Sequence, residues 1–438
     1  MSKTKITEKL FQLSSYRTNV KTEFTAGLTV FMTMLYVLIV VPGMLDEAGI
    51  PKGPITVAVI LMTGIVTIIM GIYSNRPFAL APGLGSVAFL SVTLVAAEGI
   101  SWQVGMGMVF ISGVLFVLFT IFGLRQLIVR LIPPAIKLSI GAGVGLFIAL
   151  IGFRNAGIVV ASEDANSLQL ADIGSPNAIL ALIGFFIMSV LLARNVRGHL
   201  LIGIVIVTLI GIPMGITKLP DSIFSFPESI APVAFQLDIM EALKLSYFPF
   251  LLAFFVPDFF SSLGTMLGVA GKGGMLDKNG DLPQIDKPFL VDAGGTVVGS
   301  LFSAPVMTTY VESAAGVEAG GRTGLTAVST GVLFLLTLFI TPLIMIIPTE
   351  ATAPALILVG LTMLSSVRNI NFNDVTESLP AFMTIVVTIF TFNFGNGIAA
   401  GIIIYVLVKS LSGRYKEIHP GLYILVIPLV LYFVTLAE

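Results

Sequence analysis

The 438-residue chain is 56% hydrophobic and only 11% charged, with a mean hydropathy of +1.02, whereas a soluble domain has roughly a quarter of its residues charged. A net charge of -1 gives no basis for binding nucleic acid, and the absence of cysteine excludes disulfides, thiolate chemistry and cysteine-ligated metal. His199 and His419 are the two histidines, so no metal site is expected, and nothing in the sequence requires a cofactor.

The apolar runs are continuous, which predicts an all-α polytopic membrane protein rather than a barrel. Residues 1–23 are polar and lysine-rich, carry no cleavable signal, and are placed in the cytoplasm. Within them, residues 6–16 read either as a short surface helix or as an unstructured tail. Apolar segments follow at 24–45, 53–74, 77–97, 103–123, 135–153, 176–194 and 199–217. A polar, proline-containing connector at 218–241 marks the midpoint. The second set lies at 242–267, 286–302, 304–317, 323–347, 351–367, 376–392 and 395–411. Residues 412–438 add one apolar run, at 422–436, that has no counterpart in the first half.

This pattern predicts fourteen transmembrane segments in two seven-segment repeats, 24–217 and 242–411. An odd number per repeat makes the second enter the membrane from the opposite side, so the repeats are inverted. With the N-terminus cytoplasmic, Lys52, Arg154, Lys218 and Lys244 fall outside, leaving the other 19 of 23 basic residues inside. The positive-inside rule expects such a skew in a multi-pass protein of the cell membrane.

The third and tenth segments are unlike the rest. RPFALAPGLGSVAFL (76–90) and LFSAPVMTTYVESAAGV (301–317) each hold an Ala-Pro pair, small residues and then a short apolar stretch, and the second also carries Glu312. Proline cannot donate a backbone hydrogen bond, and non-helical backbone survives at membrane depth only where protein buries it or a wet cavity receives it. Two interrupted segments in corresponding positions of two halves point to a transporter's substrate site.

Two ionisable residues are singled out within the apolar segments, Asp258 in FFVPDFFSSLGT and Glu312. A carboxylate at mid-membrane costs about 2.5–3.5 kcal/mol on insertion scales, so each is a candidate for substrate binding and for proton coupling. The alternative is a structural carboxylate satisfied by neighbouring backbone or by Ser262. Short helices starting after Gly85 and after Tyr310 would aim free N–H groups at the same place, which brings in Gly85, Ser86, Val87, Thr308 and Thr309. Backbone donors combined with carboxylate acceptors suit a planar, amide-like ring. Phe78, Phe89, Phe255 and Phe259 are near enough in sequence to stack on such a ring, although each also fits ordinary packing. GAGVG at Gly141 follows no strand and reads as close helix packing. DKNGD at Asp277 has Pro288 where a calcium loop needs its twelfth ligand, and GGRTGLTA at Gly320 lacks the ending of a phosphate loop.

Five stretches, TEFTAGLTVFMTMLYVLIVVPGML, ALAPGLGSVAF, SIGAGVGLFIALIGFRNAGI, TTYVESAAGVEAGGRTGLTAV and ATAPALILVGLTML, together resemble the nucleobase/ascorbate transporter superfamily, in its AzgA-like branch of adenine, guanine and hypoxanthine permeases. The likeness runs from about residue 20 to 435, and TYVES followed by GGRTGLTA is its most specific part. The resemblance implies fourteen spans in two inverted repeats, a core domain carrying the site, a gate domain, and cation-coupled uptake, usually proton symport. It also implies that Asp258 and Glu312 are the substrate-binding carboxylates of spans eight and ten. The chain departs from the purine pattern at Val41, Val87 and Ser261, where that branch has asparagine, asparagine and aspartate, and at Ala304, Pro305, Val306 and Met307, which replace most of a run of hydroxyls.

The sequence therefore predicts a secondary active transporter, a cation symporter that imports a nucleobase, purine favoured, or a related nitrogen heterocycle. Its partners are that small molecule, a proton or sodium ion, and membrane lipid; a homodimer is left open. The alternative is an anion transporter or channel-like protein on the same fold, disfavoured because Glu312 repels anions. No nucleophile-base pair or metal cluster suggests an enzyme.

Overall fold

In a computed structural model, which describes all residues except 1–2, 124–130, 162–167, 197, 221, 278–280, 392 and 437–438, the apolar segments other than 77–97 and 304–317 fold as helices near their expected limits. The first half comprises α1 (Lys3–Phe11), α2 (Val20–Met34), α3 (Val37–Glu47), α4 (Lys52–Ser74), β1 (Leu80–Pro82), α5 (Leu84–Ala88, running on as a π-helix over Phe89–Ala97), α6 (Trp102–Ile121), α7 (Pro134–Asn155), β2 (Val159–Ala161), β3 (Leu168–Leu170), α8 (Pro176–Ala193) and α9 (His199–Gly211). The second comprises α10 (Ile239–Ala242), α11 (Phe248–Lys272), α12 (Asp286–Leu301), β4 (Met307–Thr309), α13 (Ser313–Glu318), α14 (Gly324–Leu336), α15 (Thr341–Met345), α16 (Thr349–Leu364), α17 (Val375–Phe390), α18 (Phe394–Leu411) and α19 (Pro420–Leu436). Among the described residues, eight helices are long and apolar enough to cross a membrane, and five shorter apolar helices accompany them.

Local chemistry sets the ends. Ser101, Ser175, Thr323, Asp374 and Asn393 each accept an N–H of the first turn of α6, α8, α14, α17 and α18, as N-cap side chains do. Asn75, in the left-handed conformation, closes α4.

The helices pack in two groups with a reciprocal pattern. In one, α4 lies against α14 while α6 lies against α12, so the second apolar segment expected in each half meets the fourth expected in the other. In the other, α7 meets α16, α17 packs on α7, and α8 packs on α16. Glycines permit the closest crossings: a Cβ on Gly324 would stand 1.8 Å from the Gly71 carbonyl oxygen, and one on Gly360 would stand 2.4 Å from that of Gly145. Gly145 belongs to the GAGVG run, which thus serves helix packing.

Two features correct the all-α expectation. β2 and β3 form a small antiparallel ladder beyond α7, and β1 pairs antiparallel with β4, with Leu80 opposite Thr309, Ala81 opposite Thr308 and Pro82 opposite Met307. Three-residue strands containing proline or threonine carry no periodic signal, and they form because each break offers the other the hydrogen-bond partners that lipid does not. The N-terminal segment is helical over Lys3–Phe11, and its Phe11 carbonyl accepts a bond from Asn75 Nδ2. The span expected at 24–45 runs as one helical stretch over Val20–Glu47, with Leu35 and Tyr36, both in the right-handed helical conformation, forming the turn between α2 and α3.

The segment after α18 is clipped to α17 by charge. Arg414 binds Asp374 at 2.6 Å and Glu417 at 2.7 Å, and buried Lys409 reaches Glu377 at 2.6 Å as well as Glu417. Hydrogen bonds from Arg414 hold the carboxyls of Asp374 and Glu417 down at about 2 each.

Two predictions follow from this packing. Gly324→Ala forces the α4–α14 crossing apart and is expected to cost about 1–3 kcal/mol, read as a lower melting temperature in detergent. Carboxyls with depressed values stabilise above their unfolded values of 3.8 and 4.5 and lose that contribution as pH falls toward about 2. Wild type should therefore lose more melting temperature than Arg414→Gln across that acid window, and equal slopes would contradict the assignment.

Candidate functional site

Around the β1–β4 pair, neighbouring helices supply hydroxyls to backbone that has left its helix. Thr67 of α4 bonds both the N–H and the carbonyl of Leu80 at 3.0 Å, and Thr296 of α12 donates to the Met307 carbonyl at 3.1 Å. The Ala79 N–H donates to Ser313 Oγ at 3.0 Å, the Tyr310 N–H to the Ala79 carbonyl at 2.9 Å, and Tyr310 Oη to the Pro82 carbonyl at 2.6 Å. Val306 precedes β4 at φ +20°, a strained setting for a β-branched residue that persists because both flanks are pinned.

On one side of this pair lies a buried polar cluster. Asp292 of α12, fully buried, accepts three bonds on Oδ2: from Ser262 Oγ at 2.7 Å, the Thr309 N–H at 3.0 Å and Thr309 Oγ1 at 2.9 Å. Ser262 and Thr308 share a hydroxyl–hydroxyl bond of 2.8 Å, and Asp258, 3% exposed, stands beside Thr308 and Asp292. Oδ1 of each aspartate is buried without a hydrogen-bond partner.

Glu312 sits at the start of α13, where Oε1 accepts from Tyr36 Oη at 2.9 Å and Oε2 is buried without a partner. Of the residues expected from sequence, Asp258, Ser262, Thr308 and Thr309 thus meet in one cluster, and Glu312 is anchored separately to Tyr36. Phe78 is fully buried just ahead of β1. Gly85, Ser86 and Val87 lie in α5, where a Cβ on Gly85 would stand 2.5 Å from Val144 of α7. Helix α5 begins at Leu84, two residues before the expected start at Ser86.

Asp292 and Tyr36 were not among the expected site residues. Asp292 is an ionisable group inside the predicted span at 286–302, a signal of the same kind as Asp258. Phe89, Phe255 and Phe259 pack against Phe254, Phe116 and Phe289, so they serve the core. Among the departures from the purine pattern, Val41, Val87 and Ala304 to Met307 are buried, but Ser261 is exposed, facing away from the cluster that Ser262 joins.

The comparisons decide what kind of protein holds this geometry. The Permease family model matches residues 21–402. The chain belongs to the permease family. It is 46% identical to a permease of Methanocaldococcus jannaschii over 99% of both chains, and 40% identical to the adenine permease AdeQ of Escherichia coli over 94% of this chain and 92% of that one. The guanine/hypoxanthine permease PbuO of Bacillus subtilis is 38% identical over 98% and 99%. These relatives agree with the nucleobase/ascorbate transporter superfamily inferred from the motifs. Among solved structures, the transmembrane domain of the cyanobacterial bicarbonate transporter BicA superposes with a TM-score of 0.65 at 16% identity, covering 87% of this chain and 97% of that one. That likeness shows a shared fold. The permease is therefore a multi-pass membrane transporter, not an enzyme.

The buried cluster predicts a graded response. Thr309→Val removes one donor from Asp292, and Ser262→Ala removes a donor from Asp292 together with the Ser262–Thr308 bond. Losses of about 1–3 kcal/mol are expected for each, larger for Ser262→Ala, in unfolding of the purified permease. Unchanged melting of both variants would show that the cluster is not a connected network.

Proposed function

We propose that the permease is a secondary active importer of a nucleobase, a purine in preference to a pyrimidine, coupled to a cation, the proton ahead of sodium. The observation that carries this reading is Glu312: a half-buried carboxylate where two broken segments meet, with one oxygen held by Tyr36 and the other buried and unpartnered. An ionised carboxylate only accepts, so the free oxygen suits the N–H edge of a heterocycle and repels an anion. The relatives named for adenine, guanine and hypoxanthine support this substrate class, while the bicarbonate transporter shares the fold alone.

On this reading the binding residues are Glu312, Asp258, Ser262, Thr308, Thr309, Phe78, Gly85, Ser86 and Val87. The reciprocal packing of α4 with α14 and α6 with α12 supports fourteen spans in two inverted repeats, 24–217 and 242–411, joined by an outer connector at 218–241, with the N-terminus cytoplasmic in the cell membrane. The first packing group acts as core and the second as gate. Coupling rests on Glu312 and Asp258. Asp292 joins them because two buried carboxylates side by side are held together by a shared proton or cation. A proton taken up outside and released inside then drives substrate inward.

Proteoliposomes with an inward proton gradient should accumulate labelled purine base, and Glu312→Gln should abolish uphill accumulation while keeping exchange. Undiminished accumulation by that variant, or accumulation that follows a sodium gradient alone, would remove Glu312 as the proton site.

A further inference from the structure

We infer that Tyr36 is the positioning residue of the substrate site, acting through Glu312 by fixing which carboxylate oxygen faces the ligand. This rests on the functional reading above and extends it to a residue on the first span. Tyr36 is 2% exposed and lies in the helical turn between α2 and α3, where its own carbonyl accepts from Ile39 and Val40 at 3.1 and 3.0 Å. Its hydroxyl donates to Glu312 Oε1 at 2.9 Å across 276 residues of sequence, and Glu312 Oε2 is left buried and unpartnered. The nearby phenol, Tyr310, is committed to the Pro82 carbonyl, so it holds the strand pair and leaves Glu312 to Tyr36.

The placement of Tyr36 is not incidental, because α2 is fastened to α14 and to the turn that precedes it by bonds of its own. Glu23, fully buried near the start of α2, accepts from the Arg322 N–H at 3.0 Å, the Thr323 N–H at 3.2 Å and Thr326 Oγ1 at 2.6 Å. Thr330 Oγ1 donates to the Gly27 carbonyl at 3.0 Å. These contacts set the height and rotation of α2 against α14 without any help from Tyr36. The phenol is therefore delivered to Glu312 by a rigid frame. A carboxylate with two free oxygens turns to suit many donors, whereas one held through Oε1 presents Oε2 in a single direction. That favours ligands whose N–H lies on that line.

The experiment compares Tyr36→Phe with wild type in proteoliposomes, following exchange of labelled adenine, guanine and hypoxanthine, with melting temperature as a check on folding. Tyr36→Phe is expected to fold, to raise KM about tenfold with the maximal rate within about twofold of wild type, and to narrow the difference between the three bases. The same substitution in the Glu312→Gln background, read as KM for exchange or as equilibrium binding where exchange is lost, should add little, because the carboxylate it positions is gone. An unchanged KM in Tyr36→Phe, or an equal rise in both backgrounds, overturns the inference. A wild type that exchanges none of the three bases overturns the functional reading and this inference with it.

Discussion

Peptide groups that leave a helix inside the hydrocarbon must find partners within the protein, and the centre of this permease is built by two stretches that do so with each other. Leu80–Pro82 and Met307–Thr309 pair as antiparallel strands, and the neighbouring helices complete the set through Thr67, Thr296, Ser313 and Tyr310. Once the two breaks are joined, the halves that carry them are fixed back to back. The reciprocal helix pairs and the glycine crossings at Gly71–Gly324 and Gly145–Gly360 then close the structure around that joint.

The same joint determines the electrostatics. Three carboxylates lie beside non-helical backbone, Asp258 and Asp292 buried and Glu312 half-buried, and each keeps one buried oxygen without a partner. Burial of this kind is expensive, and an apolar side chain of similar volume would pack there without it. A transporter has a use for the cost. On the proposed function, such unmet acceptors would bind a donor-bearing ligand or a proton in one conformation and release it when the surroundings change. The Asp292 cluster is tied down by three bonds on one oxygen, whereas Glu312 is held by a single phenol, so the two centres differ in how firmly the protein holds them.

Much of this was legible in the sequence. Continuous apolar runs gave the helices to within a few residues. The Ala-Pro pairs at Pro82 and Pro305 marked the breaks, since proline and small residues in an apolar run conflict with a spanning helix. Asp258 and Glu312 stood out as charges in lipid-compatible surroundings. What the sequence did not show depends on contacts between distant residues. Asp292 finds Ser262 and Thr309 across 30 and 17 positions, and Tyr36 finds Glu312 across 276. Nothing local to Tyr36 distinguishes it from an ordinary interfacial tyrosine. The strand pair escaped because three residues have no period to read, and Ser261 appeared relevant until the helix turned it outward and Ser262 inward.

The central claim is that unmet carboxylate acceptors at the broken segments select a donor-bearing heterocycle on a fold that elsewhere carries bicarbonate. Equilibrium binding of labelled adenine, guanine and hypoxanthine to the purified wild-type permease, with unlabelled bases, bicarbonate and sulfate as competitors, tests it most directly. The account predicts saturable binding of at least one purine base that other nucleobases displace and the two anions do not. Saturable binding of bicarbonate or sulfate, with no purine bound, would contradict it.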